Sequence, residues 1–282
     1  MNKVAIVTDS TAYIPEDLIS KLEIRVIPLV VIWDGESYAD GIDITPSQFY
    51  TRLENSPSLP STSQPPAAEF KEIFSDLLDQ GRDVVAILIS SGISGTVNSA
   101  LQAQTEIGSD RIVVIDSQTA AMATGLHVIA AARKAAEGGS LEEVRDVALK
   151  AQGKTNVVFA VDTLEFLHKG GRIGGAKRFL GSMLNLKPIL EMNGGLIEAV
   201  DSVRTQKRAL VRLISLVEEK TAGERPLRVA VFHSNVPEQA KSLLADVEDN
   251  LHPEETFLAE LSPAIGTHVG PGTLAIAFMR GL

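Results

Sequence analysis

The stretch Val84-Val85-Ala86-Ile87-Leu88-Ile89-Ser90-Ser91-Gly92-Ile93-Ser94-Gly95-Thr96-Val97-Asn98-Ser99-Ala100 decides the fold. Its first six residues are apolar, and the run has the length and β-branched content of a buried strand. A turn of Gly, Ser and Thr follows, and Val97 to Glu106 continues as a helix. In such a unit the N–H groups of the helix's first turn have no intrahelical acceptor and point toward the turn, where they favour an anion. The hydroxyls of Ser91, Ser94 and Thr96 add donors at the same place, so a carboxylate or a phosphate is the ligand type it suits. A plainer alternative stands beside this one: Ser94 or Thr96 serves as the N-cap, and the glycines serve only a tight turn.

Working outward, the same alternation repeats. Lys3 to Val7 reads as a strand, Pro15 to Leu22 as a short helix and Ile24 to Trp33 as a second strand. Thr45-Pro46-Ser47-Gln48 has the form of a capping box with proline at the first helical position, opening a helix to Asn55. A loop from Pro57 to Pro66 leads into a helix from Ala67 to Gln80. Beyond the quoted stretch come a strand at Arg111 to Ile115, an Ala-rich helix from Ala120 to Glu137, and a helix capped by Ser140 and running to Lys150. This alternation predicts an α/β fold with a mostly parallel sheet flanked by helices, and ligands in such sheets bind at the carboxyl ends of the strands. Those ends read Thr8-Asp9-Ser10, Ser90-Ser91-Gly92 and Asp116-Ser117.

After Asn156 the texture changes. A strand at Val157 to Val161 and a short helix at Leu164 to Lys169 precede Gly170-Gly171-Arg172-Ile173-Gly174-Gly175. Pro188 to Met192 and Leu196 to Val203 flank Asn193-Gly194-Gly195, a hairpin signal. Helices at Thr205 to Lys220 and Pro237 to Asp249 alternate with strands at Leu227 to Phe232 and Thr256 to Leu261, and Gly272 to Met279 is a last apolar run. The reading is two α/β domains, residues 1–154 and 155–282, the second with a mixed sheet and the ligand cleft between them.

The chain has 282 residues, 44% of them apolar, enough for a sizeable core. It has no cysteine, which removes disulfides, thiolate metal sites and cysteine nucleophiles. The formal charge of −10 argues against nucleic acid as a partner. Val4 to Val7 is too short for a signal-peptide core, and Val26 to Trp33 is too short to span a bilayer, so a cytoplasmic location is expected. His127 falls within a helix and reads as core, His168 and His252 as exposed, and His233 as structural. No pair of histidines has a metal-ligand spacing, and no cofactor is implied.

Two further segments carry chemistry. In Pro60-Ser61-Thr62-Ser63-Gln64-Pro65-Pro66, prolines restrict the backbone around three hydroxyls. In Ala264-Ile265-Gly266-Thr267-His268-Val269-Gly270-Pro271-Gly272, one histidine sits among glycines that let a ligand approach the backbone. Taken with Thr8-Asp9-Ser10-Thr11-Ala12, Ser90 to Ala100, Leu167 to Gly174 and Asn185-Leu186-Lys187-Pro188-Ile189-Leu190, these phrases resemble, in order and over essentially the whole chain, the DegV family of fatty-acid-binding proteins. The resemblance implies one long-chain acid of the palmitate, stearate or oleate type, its carboxylate held by Thr62, Ser94 and His268. It also implies a separate ATP-dependent fatty acid kinase that makes an acyl phosphate for phospholipid synthesis, with Arg172 and Arg204 docking that kinase. An acyltransferase or a membrane surface is a further, transient partner.

The chemistry is compatible with that implication. A buried methylene contributes about 0.8 kcal/mol, so a long tail gains on the order of 10 kcal/mol before ordering costs. Leu164 to Leu167, Phe179 to Leu186 and Phe232 are candidates to line the tunnel, or ordinary core. A buried carboxylate needs partners, which two hydroxyls and a histidine supply. The rival class is an ester hydrolase using Ser94, His268 and Asp9 or Asp116. Against it, Gly92-Ile93-Ser94-Gly95-Thr96 lacks the last glycine of a nucleophile elbow. A nucleotide-binding enzyme is disfavoured by the missing phosphate-loop and dinucleotide signatures.

Overall fold

The computed structural model describes residues 3–179 and 186–282. In chain order the elements are β1 (Val4–Asp9), α1 (Glu16–Lys21), β2 (Arg25–Ile27), β3 (Val30–Trp33), β4 (Glu36–Ala39), α2 (Pro46–Asn55), β5 (Ser61–Ser63), α3 (Ala67–Asp79), β6 (Asp83–Leu88), α4 (Thr96–Ile107), β7 (Ile112–Asp116), α5 (Met122–Ala136) and α6 (Leu141–Gln152). There follow β8 (Thr155–Ala160), α7 (Glu165–Lys169), β9 (Lys187–Asn193), β10 (Leu196–Val203), α8 (Gln206–Thr221), β11 (Leu227–His233), α9 (Pro237–Leu251), β12 (Glu255–Glu260), α10 (Pro263–Val269) and β13 (Leu274–Arg280).

The fold is mixed α/β. One sheet is parallel throughout, in the order β2-β1-β6-β7. A second, in the order β10-β9-β8-β13-β11-β12, is antiparallel except where β11 meets β12. Alternation along the strands separates the two faces of each sheet. Ala5, Val7, Ala86 and Leu88 face α3 and α4, with Phe70, Phe74 and Ala100. Ile6, Val85 and Ile87 face α5 and α6, and that same layer meets Val157, Phe159, Phe232 and Ala275 of the second sheet. The second sheet's other face, with Val158, Ile276 and Phe278, packs on α8 and α9. α5 lies between the two sheets and so needs apolar side chains nearly all round, which accounts for the eleven buried residues among its fifteen.

Two expectations are corrected. Ile24 to Trp33 is not one strand. Proline has no N–H to give a ladder, and Pro28 separates β2, which joins the parallel sheet, from β3, which joins a third sheet in the order β4-β3-β5. The expected loop of residues 57–66 contains β5, whose Thr62 pairs antiparallel with Val31. The glycine-bearing phrase after Ser262 is largely helical, since α10 starts at Pro263 and closes at Gly270, which has φ of 73°. The third sheet packs with α2 through Val31, Trp33, Phe49 and Tyr50, and Ala264 of α10 completes that core. Both expected capping boxes form, at Thr45 with Gln48 and at Ser140 with Glu143.

Candidate functional site

β5 and α10 carry the two side chains that meet first. Thr62 Oγ1 lies 2.7 Å from His268 Nε2, and the imidazole is otherwise enclosed, with Nδ1 buried and without a hydrogen-bond partner. The enclosing wall includes Gly170, where a Cβ would stand 2.2 Å from His268 Nδ1. Glycine at the end of α7 is therefore a packing requirement of the histidine. Burial, and secondarily the charge of Arg172, pushes the His268 pKa down to about 4, so the ring is neutral at pH 7.

The loop after β6 brings the second hydroxyl. Ser94 N–H and Ile93 N–H both donate to Ser90 C=O, at 3.1 and 3.2 Å, and Ser94 Oγ accepts from Thr96 N–H at 3.3 Å. The cap position of α4 is Gly95 rather than either hydroxyl residue, and Gly95 packs so closely on the Gln64 side chain that a Cβ would lie 2.9 Å from it. Ser91 turns away, its N–H and Oγ both donating to the Asp116 carboxylate. Ser90 also leaves the site, donating from Oγ to Gly195 C=O at 2.7 Å.

Thr62, Ser63, Gln64, Ser94, Arg172 and His268 converge on one cavity. It holds about 800 Å³ of space free of protein atoms, part of it open to solvent. The rest of its wall is almost wholly apolar and drawn from all three sheets: Leu29, Ile89, Phe159, Met192, Phe232 and Ala275 among others. A mostly apolar pocket with its polar groups at one region suits an amphipathic ligand with an acidic or otherwise polar head. Of the residues expected to line a tunnel, Leu167 and Phe232 do so. Leu164 and Phe179 pack in the adjoining core, Phe166 packs beside the Trp33 cluster, and residues 180–185 lie outside the described residues.

Arg172 is half-buried in the cavity wall, donating from Nε to Ile93 C=O at 3.1 Å and from Nη1 to Gly170 C=O at 2.6 Å. It thus ties the Ser94 loop to the turn that packs on His268. Arg204 lies apart, exposed just before α8. Neither aspartate of the hydrolase alternative reaches the histidine. Asp9 accepts from Thr11 N–H, Thr11 Oγ1 and Ile89 N–H, and Asp116 accepts from Ser91 and Gln118. His127 is buried in α5 as expected, and His168 and His252 are exposed. Among the described residues no group of His, Asp and Glu side chains could hold a metal ion.

The family model described as "Uncharacterised protein, DegV family" matches residues 3–281. The chain belongs to the DegV family. A DegV domain-containing protein of Listeria innocua is 37% identical over 277 residues, covering 98% of each chain. Among solved structures, a fatty-acid-binding DegV family protein from Thermus thermophilus is 35% identical with a TM-score of 0.94, covering 99% of this chain and 100% of that one. The fatty-acid-binding DegV of Bacillus subtilis is 34% identical with a TM-score of 0.89 over the whole of both chains. A stearic-acid-binding protein from Eubacterium ventriosum is 26% identical with a TM-score of 0.90, covering 99% and 98%. Among the described residues no helix is long and apolar enough to cross a membrane. Gln64, Phe159, Met192 and Ile197 of the DegV cavity escaped the sequence reading. Gln64 stands inside a quoted motif but beside its three hydroxyls, whereas the other three look like any alternating strand residue.

Proposed function

We propose that this DegV family protein binds one long-chain fatty acid, head at Thr62, Ser94 and His268, tail across the inner face of the second sheet. One observation carries the reading: a cavity apolar on nearly all sides has hydroxyls, an imidazole and a guanidinium gathered at one region. Related proteins of known structure described as fatty-acid-binding and stearic-acid-binding support it. The hydroxyls of Thr62 and Ser94 donate to the carboxylate without the bidentate grip of an arginine, leaving an oxygen free to react. Neutral His268 takes or supplies a proton at Nε2, where it now meets Thr62. Arg172, beside the head, offsets the negative charge.

We further propose that the acid is presented to a separate ATP-dependent kinase and kept bound as the acyl phosphate. Arg172 at the cavity wall and exposed Arg204 would meet that partner. Native mass spectrometry of the purified protein, followed by organic extraction, tests the binding reading. One long-chain acid per chain is the expected result, with affinity reduced about ten-fold or more in Thr62→Ala, Ser94→Ala and His268→Ala. Arg204→Ala should bind as the parent does and fail only in kinase-dependent phosphorylation. Equal affinity in the parent and the three head-site variants would sink the head assignment.

A further inference from the structure

Two cavities of this molecule share one side chain. Met192 of β9 lines the apolar cavity described above, and it also lines a separate pocket of about 470 Å³ formed by Ser117, Thr119, Gln152, Thr155, Asn156 and neighbours. The second pocket is polar, and Thr119 Oγ1 is buried there without a hydrogen-bond partner.

Strand register shows where along the acyl cavity this wall stands. His268 lies on α10, just before β13, so distance along β13 measures distance from the imidazole. Ala275 has Phe232 on one side and Phe159 on the other. Two residues further along, Ala277 pairs with Val157. The pairing of Val158 with Glu191 then places Met192 beside Val157, and Met192 itself pairs with Ile197. Phe159, Phe232, Val157, Met192 and Ile197 all belong to the same apolar layer. Two residues of strand advance about 7 Å, so Val157, Met192 and Ile197 form the row of the lining farthest from His268 along the sheet, one step beyond Phe159 and Phe232. The next residues back along β8, Asn156 and Thr155, already face the polar pocket.

We propose that Met192 is the partition that ends the acyl cavity and thereby sets the length of chain it accepts. This rests on the fatty-acid reading. The partition is held from behind. The hairpin turn after Met192 is pinned by Ser90 Oγ on Gly195 C=O at 2.7 Å, and a Cβ on Gly195 would stand 2.7 Å from that same oxygen. The wall therefore yields through the thioether's own rotations and not by sliding of the strand. Shortening the side chain joins the two cavities, so a longer chain gains room. A terminal hydroxyl on that chain would enter a pocket with polar partners to offer, Thr119 Oγ1 among them. Replacing methionine by a bulkier ring moves the wall toward the head.

The test uses delipidated full-length protein offered an equimolar mixture of myristate, palmitate, stearate, arachidate and ω-hydroxystearate, read by native mass spectrometry. Met192→Ala should shift occupancy toward stearate and arachidate, by about four-fold for each methylene newly accommodated, and should raise uptake of ω-hydroxystearate relative to the parent. Met192→Phe should shift occupancy toward myristate, and because it fills space it still reads the wall if Met192→Ala folds poorly. The parent's chain-length distribution in both variants would overturn the assignment of Met192 while leaving the carrier reading intact. A folded parent that takes up none of the acids would overturn both.

Discussion

At the scale of single residues, His127 and His268 share a lowered pKa and do different work. Burial pushes the pKa of each down to about 4. His268 reaches Thr62 and the cavity, whereas His127 sits inside α5 with both ring nitrogens buried and without partners. A histidine that stays neutral when folded, yet takes a proton near pH 6.5 when unfolded, makes the unfolded state bind more protons between those values. Its effect on stability is therefore a loss as pH falls from about 6.5 to about 4. Asp9 and Asp40 act with the opposite sign. Burial raises both above the ordinary carboxylate value of 3.8, so they favour the fold at low pH and that contribution fades as pH rises through their folded values. A single-site comparison isolates the histidine. His127→Phe removes two unpaired buried nitrogens, and its melting temperature should fall less than the parent's between pH 6.5 and pH 4, a difference of up to about 3 kcal/mol at the acid end. Parallel thermal curves across that range would show that His127 does not titrate this way.

At the scale of elements, the head site depends on how α10 is fixed. Ser262 precedes the helix but makes no side-chain cap. The cap comes from Asp40, just after β4, which accepts from Ala264 N–H at 2.9 Å and from the hydroxyls of Ser262 and Ser10 at 2.7 and 2.6 Å. One buried carboxylate thus joins the end of β1, the third sheet and the helix that carries His268. Asp40→Ala leaves those donors unmet, and should lower unfolding free energy by about 2–4 kcal/mol and weaken acid binding. Asp40→Asn, which keeps an acceptor for Ala264 N–H, should recover part of both losses. Chemical denaturation and acid titration of the two variants check this, and full binding in folded Asp40→Ala would separate α10 placement from this contact. The same element shows what the sequence does and does not disclose. Local signals were readable: the capping boxes at Thr45 and Ser140, the strand and turn before α4, the Asn193 hairpin. The three-residue β5 was not, because its existence depends on β3 lying beside it, some thirty residues away in the chain. The pairing of Thr62 with His268 spans 206 residues, and only the ordered motifs hinted that the two belong together. The resemblance implies that Arg172 docks a partner, and nothing local in the sequence discloses the Ile93 and Gly170 carbonyls that hold it in the cavity wall.

At the scale of the whole molecule, the cavity lies where three sheets meet. Its wall includes Leu29 and Thr62 from the third sheet and its approach, Ile89 and Ser94 from the end of the parallel sheet, and Phe159, Phe232 and Ala275 from the second sheet. A fatty acid placed there touches all three and binds only where they are assembled. Binding to the folded form alone stabilises it by RT ln(1 + [L]/Kd), about 2.7 kcal/mol at a hundred-fold excess over Kd. For a chain of this size that corresponds to a rise in melting temperature of several degrees, about 5 °C or more. Delipidation should remove that rise, and oleate should restore it. The loss should also be uneven. The layer between α8 and α9 and the outer face of the second sheet has its own core and no side chain in the cavity, so its amide exchange should track only the global change. β5, α10 and the turn before α4 border the cavity, and on the proposed reading they should open more often once the acid is gone. Hydrogen exchange of loaded and delipidated protein measures the contrast. Uniform acceleration throughout would mean that the acid stabilises the fold as one unit, whereas faster exchange confined to those three segments would identify them as the parts that the lipid holds together.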